Sequence, residues 1–146
     1  MYRKMFYREY GEVIICSDGS KNWRYEAFPQ YKAKRKENRK ESTLDWKEVF
    51  RITQMVLNEL KDNFQYKVIV IDRCEADDVI AQLALSTQID FGHIEPVMII
   101  SSDKDFGQLQ KYSNIHQYSP MLKKEIKIRS EEHTSELQSH HDLVCR

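Results

Sequence analysis

The sequence contains few of the residues on which several classes of site depend. Its three cysteines, Cys16, Cys74 and Cys145, form no even disulfide framework and no pair at a metal-ligand spacing. The four glycines build no glycine-rich loop that could hold a phosphate. These absences argue against a disulfide-rich secreted domain, a structural zinc site and a P-loop nucleotide site. A reducing cytosol is therefore the expected compartment.

Long apolar runs and nucleophile motifs are missing as well. No hydrophobic stretch approaches the ~20 residues of a membrane-spanning helix, and no signal-peptide core follows Met1-Tyr2-Arg3-Lys4. No candidate Ser-His-Asp or Cys-His pair suggests nucleophilic catalysis. The 146 residues, 40% hydrophobic and 32% charged, suit one ordinary α/β domain with its own core.

The formal net charge of zero hides an uneven distribution of charge. Eight Lys and Arg residues occur between Lys21 and Lys40, against two glutamates, whereas acids collect around residues 72–78 and 103–105. A basic surface beside an acidic pocket suits a metal-dependent enzyme that acts on a polyanion. Separate solvated charge runs would give the same pattern, so both interpretations stay open.

Apolar runs predict the strands of a central, mostly parallel sheet flanked by helices. The strongest is the run at 97–100, which small polar residues stop, and a second buried strand is predicted at 66–72. Shorter runs predict a strand near 13–16, a fourth strand near 114–120 and an alternating edge strand at 125–128. The fold class is therefore α/β.

Helices are predicted between these strands. Ser42-Thr43-Leu44-Asp45 is a helix-start signature, and helices are also predicted at 75–84 and 106–111. Apolar residues after Asp45 recur at intervals of three and four, so we expect one face of that helix to pack on the sheet. That face consists of Trp46, Val49, Phe50, Thr53, Val56, Leu57 and Leu60.

Six acidic residues follow the predicted strands, where ligand sites of open α/β sheets are found. They are Asp18, Glu75, Asp77, Asp78, Asp103 and Asp105. Adjacent parallel strands lie ~4.8 Å apart, so acids at their ends can converge on one or two Mg²⁺ ions. The competing interpretation is that Asp18-Gly19 makes a tight turn and that the other acids cap helices or complement their dipoles.

The segment between residues 20 and 41 combines cations with aromatic residues, namely Trp23, Tyr25, Phe28 and Tyr31. Aromatic rings beside Lys and Arg suit stacking on bases and neutralisation of phosphates. A mobile polar loop whose aromatic residues pack on the body of the protein explains the composition equally well. Pro29 is expected to prevent one continuous helix here.

Several motifs together resemble the 5′-nuclease (flap endonuclease) superfamily over about residues 8–128, and regions 41–46 and 117–121 are similar too. The motifs are Asp18-Gly19, Trp23-Arg24, Tyr31-Lys32, Glu75-Ala76-Asp77-Asp78 and Ser101-Ser102-Asp103-Lys104-Asp105-Phe106. The resemblance implies a PIN-like 5′-nuclease core. It also implies a Mg²⁺-dependent 5′→3′ exonuclease and flap endonuclease that removes RNA primers and 5′ flaps during phage DNA replication.

The resemblance also implies roles for individual residues. Asp18, Asp78 and Asp103 would bind a first metal ion with Glu75 and Asp77 nearby, and Asp105 would face a second. The ions would be Mg²⁺, with Mn²⁺ as a substitute. The remaining site residues lie in an arch or bridge region at about 20–41. There, Arg24 and Lys32 would contact the scissile phosphate, and Tyr31 would stack on a base. Five further cations would contact nucleic acid, namely Lys34, Arg35, Lys36, Arg39 and Lys40.

The chain also departs from the family pattern. It starts after the family's first strand, which carries another ligand Asp, and residues 129–146 resemble a translated sequencing adapter. We therefore expect residues 1–128 to be a partial catalytic domain, incomplete at both ends and impaired in activity. The implied partners are DNA and RNA/DNA hybrids with 5′ ends or flaps, a single-strand-binding protein and a sliding clamp, with no membrane, in the cytoplasm of an infected bacterial cell.

Three alternatives remain besides this 5′-nuclease. One is a nucleic-acid-binding module whose metal site is incomplete, and another is a PIN-type ribonuclease that acts on free RNA. A phosphatase for small phosphoesters ranks last, because the first strand is not followed by the nucleophilic Asp-x-Asp motif.

Overall fold

The computed structural model describes residues 1–64, 66–89 and 95–127, so the predicted adapter-like tail at 129–146 lies outside the described residues. The chain forms two compact units, Met1–Leu83 and Ala84–Arg146. In chain order the described elements are α1 (Tyr2–Tyr10), β1 (Ile14–Ser17), α2 (Arg24–Ala27), α3 (Ala33–Glu41), α4 (Trp46–Asn63), β2 (Lys67–Val70), α5 (Ala76–Ile89), β3 (Val97–Ile100), a 3₁₀ helix (Lys104–Lys111), β4 (Ile115–Ser119) and β5 (Lys124–Ile126).

In the first unit, β1 and β2 pair in parallel, with Ser17 opposite Val70 at their carboxyl ends. The loops that follow the two strands therefore leave from the same edge of the sheet. Gly19 N donates to Cys74 O at 2.8 Å and Arg73 N donates to Ser20 O at 2.8 Å. A Cβ at position 19 would collide with the backbone carbonyl of Ile71, so this close approach of the two loops requires glycine.

Helix α4 begins at the predicted position and is capped by Asp45. One carboxylate oxygen, Asp45 Oδ1, accepts from Lys47 N at 3.0 Å and from Glu48 N at 3.2 Å. These bonds satisfy two backbone donors that would otherwise have no partner in the first turn. The sequence signature at 42–45 therefore predicted the helix start correctly.

The face of α4 that packs on β2 is narrower than its apolar pattern predicts. Trp46, Val49, Leu57 and Leu60 are half-buried. By contrast, the exposed fractions of Phe50 and Val56 are 53% and 52%. Packing between the two elements is also incomplete, because a cavity of about 210 Å³ is lined by Gln54, Leu57, Asn58, Lys61, Val68 and Val70. Val70 belongs to a strand that was predicted to be buried, but it lines this gap and is 46% exposed.

Pro29 separates two helices in the segment between β1 and α4, as predicted. The short α2 ends at Ala27, and α3 begins at Ala33 after Lys32, which adopts the left-handed conformation with φ of 52°. Every residue of α3 is exposed. The segment is therefore largely helical rather than a polar loop, and α3 presents its cations to solvent.

In the second unit, β4 pairs in parallel with β3 and antiparallel with β5. The predicted fourth strand and edge strand are both present. Ile99, Ile115 and Tyr118 are buried with Phe106 of the 3₁₀ helix. Two polar residues of β4, Gln117 and Ser119, are equally inaccessible, each with 1% of its surface exposed.

Among the described residues, no helix has both the length and the apolar character needed to cross a membrane.

We expect Asp45→Ala to lower the free energy of unfolding by about 1 kcal/mol, because two backbone N–H groups of α4 lose their acceptor. Urea denaturation of this chain measures the change. Asp45→Asn should keep most of the stability, since Asn caps about as well as Asp. Asp62→Ala is the control, because an acid in the last turn of α4 does not benefit from the helix dipole. Equal losses for Asp45→Ala and Asp62→Ala would contradict the prediction.

Candidate metal and nucleic-acid site

Four acidic residues of the first unit, Asp18, Glu75, Asp77 and Asp78, follow β1 and β2, and we call them the acidic edge. Asp18 comes directly after β1, and its Oδ1 accepts from Ala76 N, the first residue of α5, at 2.8 Å. Asp78 Oδ2 accepts from Glu75 N at 3.1 Å, as in a capping box. Asp18 and Asp78 therefore cap the start of α5, as the competing interpretation predicted.

Asp78 has a second partner that helix capping does not require. The guanidinium of Arg24 donates to both of its carboxylate oxygens, with Nη1 to Oδ2 and Nη2 to Oδ1 at 2.6 Å each. These hydrogen bonds hold the pKa of Asp78 below its usual range, although partial burial acts in the opposite direction. The pKa of Arg24 is raised by the same pair. The pair is therefore charged on both sides, bidentate and partly buried.

Glu75 is neutralised in the same way by two residues of the aromatic segment. Lys32 Nζ lies 2.6 Å from Glu75 Oε1, and Tyr31 OH donates to Oε2 at 2.9 Å. Burial alone would raise the pKa of Glu75, but the bonds from Lys32 and Tyr31 outweigh it and lower that pKa. Arg24 Nη1 adds a longer ion pair to Glu75 Oε2 at 3.8 Å. Both predicted phosphate-binding cations therefore contact predicted metal ligands.

Aromatic rings surround these cations. The guanidinium carbon of Arg24 lies 4.9 Å from the centre of the Trp23 ring and 5.9 Å from that of Tyr31. The Tyr31 ring also contacts Lys32 Nζ. Tyr25 packs edge-to-face on the Tyr31 ring, with 5.6 Å between the two ring centres. Trp23 and Tyr25 remain 45% and 46% exposed. The rings therefore fix the cations beside the acidic edge and still offer surface to a ligand.

The five further cations predicted to bind nucleic acid are Lys34, Arg35, Lys36, Arg39 and Lys40, and all lie on α3. Arg39 differs from the others, because its guanidinium lies 5.1 Å and 5.4 Å from the rings of Trp46 and Phe50 in α4. It therefore also attaches α3 to α4.

Asp103 and Asp105 belong to the second unit and follow β3. Asp103 is the N-cap of the 3₁₀ helix, and its Oδ1 accepts from Asp105 N at 3.0 Å. Asp103 N in turn donates to Ser101 Oγ at 3.1 Å. Both acidic residues are exposed. The cap interpretation is again correct, and it leaves these carboxylates at the surface of their unit.

The side chains of the acidic edge offer carboxylate oxygens, which are the type of ligand that a hard divalent cation prefers. Arg24 and Lys32 supply the positive charge that such an ion would bring. Over residues 1–64, 66–89 and 95–127, no three His, Cys, Asp or Glu side chains come close enough to hold a metal ion. Convergence of all six predicted ligands therefore stays a prediction.

Asn22 is a site residue that the sequence interpretation did not identify. It is 8% exposed, and its Oδ1 accepts from Arg24 N at 2.9 Å, which orients the start of α2. An Asn that bonds the backbone two residues further along is a common local pattern, so the spacing to Arg24 was an available signal.

Comparisons with known sequences agree with these motifs. The family model described as 5′-3′ exonuclease, N-terminal resolvase-like domain, matches residues 1–138. The chain is 44% identical over 123 residues to a ribonuclease H of Enterobacteria phage T4. That similarity covers 83% of this chain but 39% of the phage T4 protein, so the chain spans well under half of its relative's length.

Solved structures show the same fold. One is the flap endonuclease of bacteriophage T5 in a complex with DNA and metal ions, which is 23% identical to this chain and has a TM-score of 0.65. The match covers 86% of this chain and 47% of the phage T5 chain. Another is the phage T5 5′-exonuclease with bound zinc ions, which is 25% identical and has a TM-score of 0.62. That match covers 88% of this chain and 48% of the exonuclease chain. The predicted PIN-like α/β core is confirmed, although the described strands form a two-stranded and a three-stranded sheet rather than the one central sheet of the prediction.

We expect Arg24→Ala to lower the free energy of unfolding by about 1–3 kcal/mol in metal-free buffer, because it leaves the partly buried Asp78 carboxylate without its cation. Urea denaturation with a chelator measures this loss, and Lys34→Ala on exposed α3 is the control. In a variant that already carries Asp78→Asn, the Asn side chain can still accept from Glu75 N. Adding Arg24→Ala to that variant should therefore lower the free energy of unfolding by less than it does in the unmodified chain. Strictly additive losses would contradict the coupling.

The stability that Arg24 provides should also depend on pH. Folding lowers the pKa of Asp78, so the pair stabilises the protein at pH values above the carboxyl's ordinary pKa of about 4. The contribution is lost as the pH falls through the lower pKa of the folded state. We therefore expect the difference between Arg24→Ala and the unmodified chain to shrink below about pH 4, whereas a difference that is constant from pH 7 to pH 3 would contradict the assignment.

Proposed function

The chain belongs to the 5′-3′ exonuclease, N-terminal resolvase-like domain family, and from this we propose that its whole protein is a Mg²⁺-dependent, structure-specific 5′→3′ nuclease. Its substrates would be DNA and RNA/DNA hybrids with 5′ ends or flaps, and its role would be to remove RNA primers and flaps from replicating phage DNA. The observation that carries the proposal is the pairing of Arg24 with Asp78 and of Lys32 with Glu75. This pairing joins candidate metal ligands to candidate phosphate-binding cations.

We propose that the metal ligands are Asp18, Glu75, Asp77, Asp78, Asp103 and Asp105, holding two Mg²⁺ ions that Mn²⁺ can replace. Bound ions of this kind supply Lewis-acid activation of water and neutralise charge at a phosphodiester. The hydrogen bonds that Asp18 and Asp103 accept from Ala76 N and Asp105 N support the proposal, because they orient these carboxylates before any ligand arrives.

The residues of this chain would exchange partners when substrate binds. Without substrate, Arg24 and Lys32 compensate the acidic edge, so the partly buried charges are balanced. In the proposed complex the two cations hold the scissile phosphate, and the carboxylates are left to the divalent ions. Glu75, Asp78, Arg24 and Lys32 would each keep a partner in both states, which avoids the cost of an unpaired buried charge.

The basic helix α3 would track the rest of the strand. Its exposed cations, Lys34, Arg35, Lys36, Arg39 and Lys40, would neutralise phosphates, and Tyr31 would stack on a base. Exposure supports this role, because a solvated Lys or Arg can release counterions from nucleic acid at little structural cost.

A second candidate is a nucleic-acid-binding module without a complete metal site. It is favoured by one observation, that the described residues bring no three metal-binding side chains together. Binding without metal-dependent cleavage would identify this module, and a preference for free RNA over a 5′ flap would identify a PIN-type ribonuclease instead.

We propose that the protein acts in the cytoplasm of an infected bacterial cell with a single-strand-binding protein and a sliding clamp. We also propose that the 146-residue chain alone cleaves flap DNA more slowly than its whole protein, and cleavage by the chain at the full rate would overturn this.

We expect Asp103→Asn in the whole protein to reduce Mg²⁺-dependent cleavage of a 5′-flap substrate by about 100-fold or more, because the reacting centre is deprived of a charged ligand. Unfolding free energy should hardly change, since Asn caps a helix about as well as Asp. Gel analysis of single-turnover cleavage measures the rate, and Asp62→Asn is the control. Full cleavage by Asp103→Asn would leave Asp103 with its cap role alone.

We expect binding of single-stranded DNA by this chain to weaken steeply with salt. Lys34→Gln with Arg35→Gln should make the log–log slope less negative by about 0.7 for each phosphate that the variant no longer neutralises. Fluorescence anisotropy with a chelator present measures affinity without cleavage. Lys4→Gln with Arg8→Gln on α1 is the matched control, and an equal change of slope in both double variants would refute the assignment to α3.

A further inference from the structure

A buried glutamine holds the loop at residues 101–103, which carries Asp103 and leads into the 3₁₀ helix that carries Asp105; we call residues 101–103 the acidic loop. Gln117 lies on β4, opposite Ile99 of β3, and only 1% of its surface is exposed. Its Nε2 donates to Ser101 O at 3.0 Å and to Asp103 O at 2.6 Å. One side-chain amide therefore ties together two backbone carbonyls on either side of Ser102, where the chain leaves β3 and enters the 3₁₀ helix.

The same loop is bonded to a buried serine of β4. Ser102 Oγ and Ser119 Oγ are 2.8 Å apart, and Ser119 is 1% exposed. Ser119 Oγ also accepts from Leu122 N at 3.2 Å. Two inaccessible polar side chains of one strand, Gln117 and Ser119, thus contact the acidic loop at three of its consecutive residues, 101, 102 and 103.

The amide of Gln117 is itself held from the other side. Gln110 Nε2 lies 3.5 Å from Gln117 Oε1 and donates to Ile126 O at 2.9 Å. The chain of hydrogen bonds thus runs from β5 through the 3₁₀ helix to the loop. The orientation of the Gln117 amide follows from these partners. The two loop carbonyls can only accept hydrogen bonds, so the NH₂ group of Gln117 must face them.

Packing alone gives no reason for a glutamine here. Its neighbours in the core, Ile99, Ile115 and Tyr118, are mainly apolar, and apolar residues are the usual occupants of such positions. An apolar residue at 117 would leave the carbonyls of Ser101 and Asp103 without these donors. The two bonds instead define where the backbone turns, and the turn defines where the Asp103 side chain starts.

We propose that Gln117 is a positioning residue for the Asp103 carboxylate: it fixes the Ser101–Asp103 turn so that Asp103 and Asp105 can bind a divalent ion. The inference rests on the proposed metal-binding function and deepens it. Gln117 touches neither ion nor substrate in this assignment, and it acts through the backbone of the residue that does.

The test is Mn²⁺ binding by this chain, followed from the electron paramagnetic resonance signal of the free ion. Gln117→Met keeps the length of the side chain and removes both donors. We expect it to weaken Mn²⁺ binding by about 10-fold or more, the usual effect of losing a supporting residue behind a ligand. Asp103→Asn, which removes the ligand itself, should weaken binding further.

The matched control is Gln88→Met in the same unit. Gln88 Nε2 donates to Asn114 Oδ1 at 2.8 Å, away from the acidic loop, so its loss should lower stability without changing Mn²⁺ affinity. Urea denaturation of both variants in chelator then separates general destabilisation from positioning. If Gln117→Met does not fold, Gln117→Asn takes its place, because the shorter side chain draws the amide away from both carbonyls, and unchanged Mn²⁺ affinity in that variant overturns the inference.

The remaining outcomes are distinct. Weaker binding by Asp103→Asn together with unchanged binding by Gln117→Met, or an equal effect of Gln88→Met, would overturn the inference and leave the proposed function standing. A chain that binds no Mn²⁺, or an Asp103→Asn variant that binds it unchanged, would overturn the proposed metal site and the inference with it.

Discussion

The bidentate contact between Arg24 and Asp78 is the interaction on which the organisation of the first unit depends. It connects the segment after β1 to the first turn of α5, and Lys32 and Tyr31 repeat the connection at Glu75. Carboxylates and cations that are far apart in the sequence are thereby brought together in mutual compensation. A set of acids at the end of a sheet is stable in this form because each partly buried charge has an opposite charge within hydrogen-bonding distance.

Much of the local structure could be predicted because it depends on short-range physics. The apolar runs at 97–100 and 114–120 became β3 and β4, and the signature ending at Asp45 became the cap of α4. Asp18, Asp78 and Asp103 could be selected because acids at the carboxyl ends of strands follow from the alternation of strands and helices. Capping a helix and binding a metal ion are compatible roles, because one carboxylate has enough oxygen lone pairs for both.

Other features could not be predicted, since they depend on long-range contacts. The period of α4 indicates which residues share a face but not how much of that face a neighbour covers, so the exposure of Phe50 and Val56 was missed. The sequence likewise separates Arg24 from Asp78 by 54 positions. The family resemblance at 117–121 assigns no role to Gln117, because a glutamine in an apolar strand is recognisable as functional only when the two carbonyls that it bonds are seen.

Helix α3 has no buried residue, so its place beside the acidic edge is maintained by contacts at its ends. Lys32 attaches one end to Glu75, and Arg39 attaches the other to the rings of α4. In the proposed complex, a metal ion bound at Glu75 would release Lys32, and a polyanion bound at Lys32 would release Glu75. Binding of the two ligands would then be coupled positively, by the same factor in both directions.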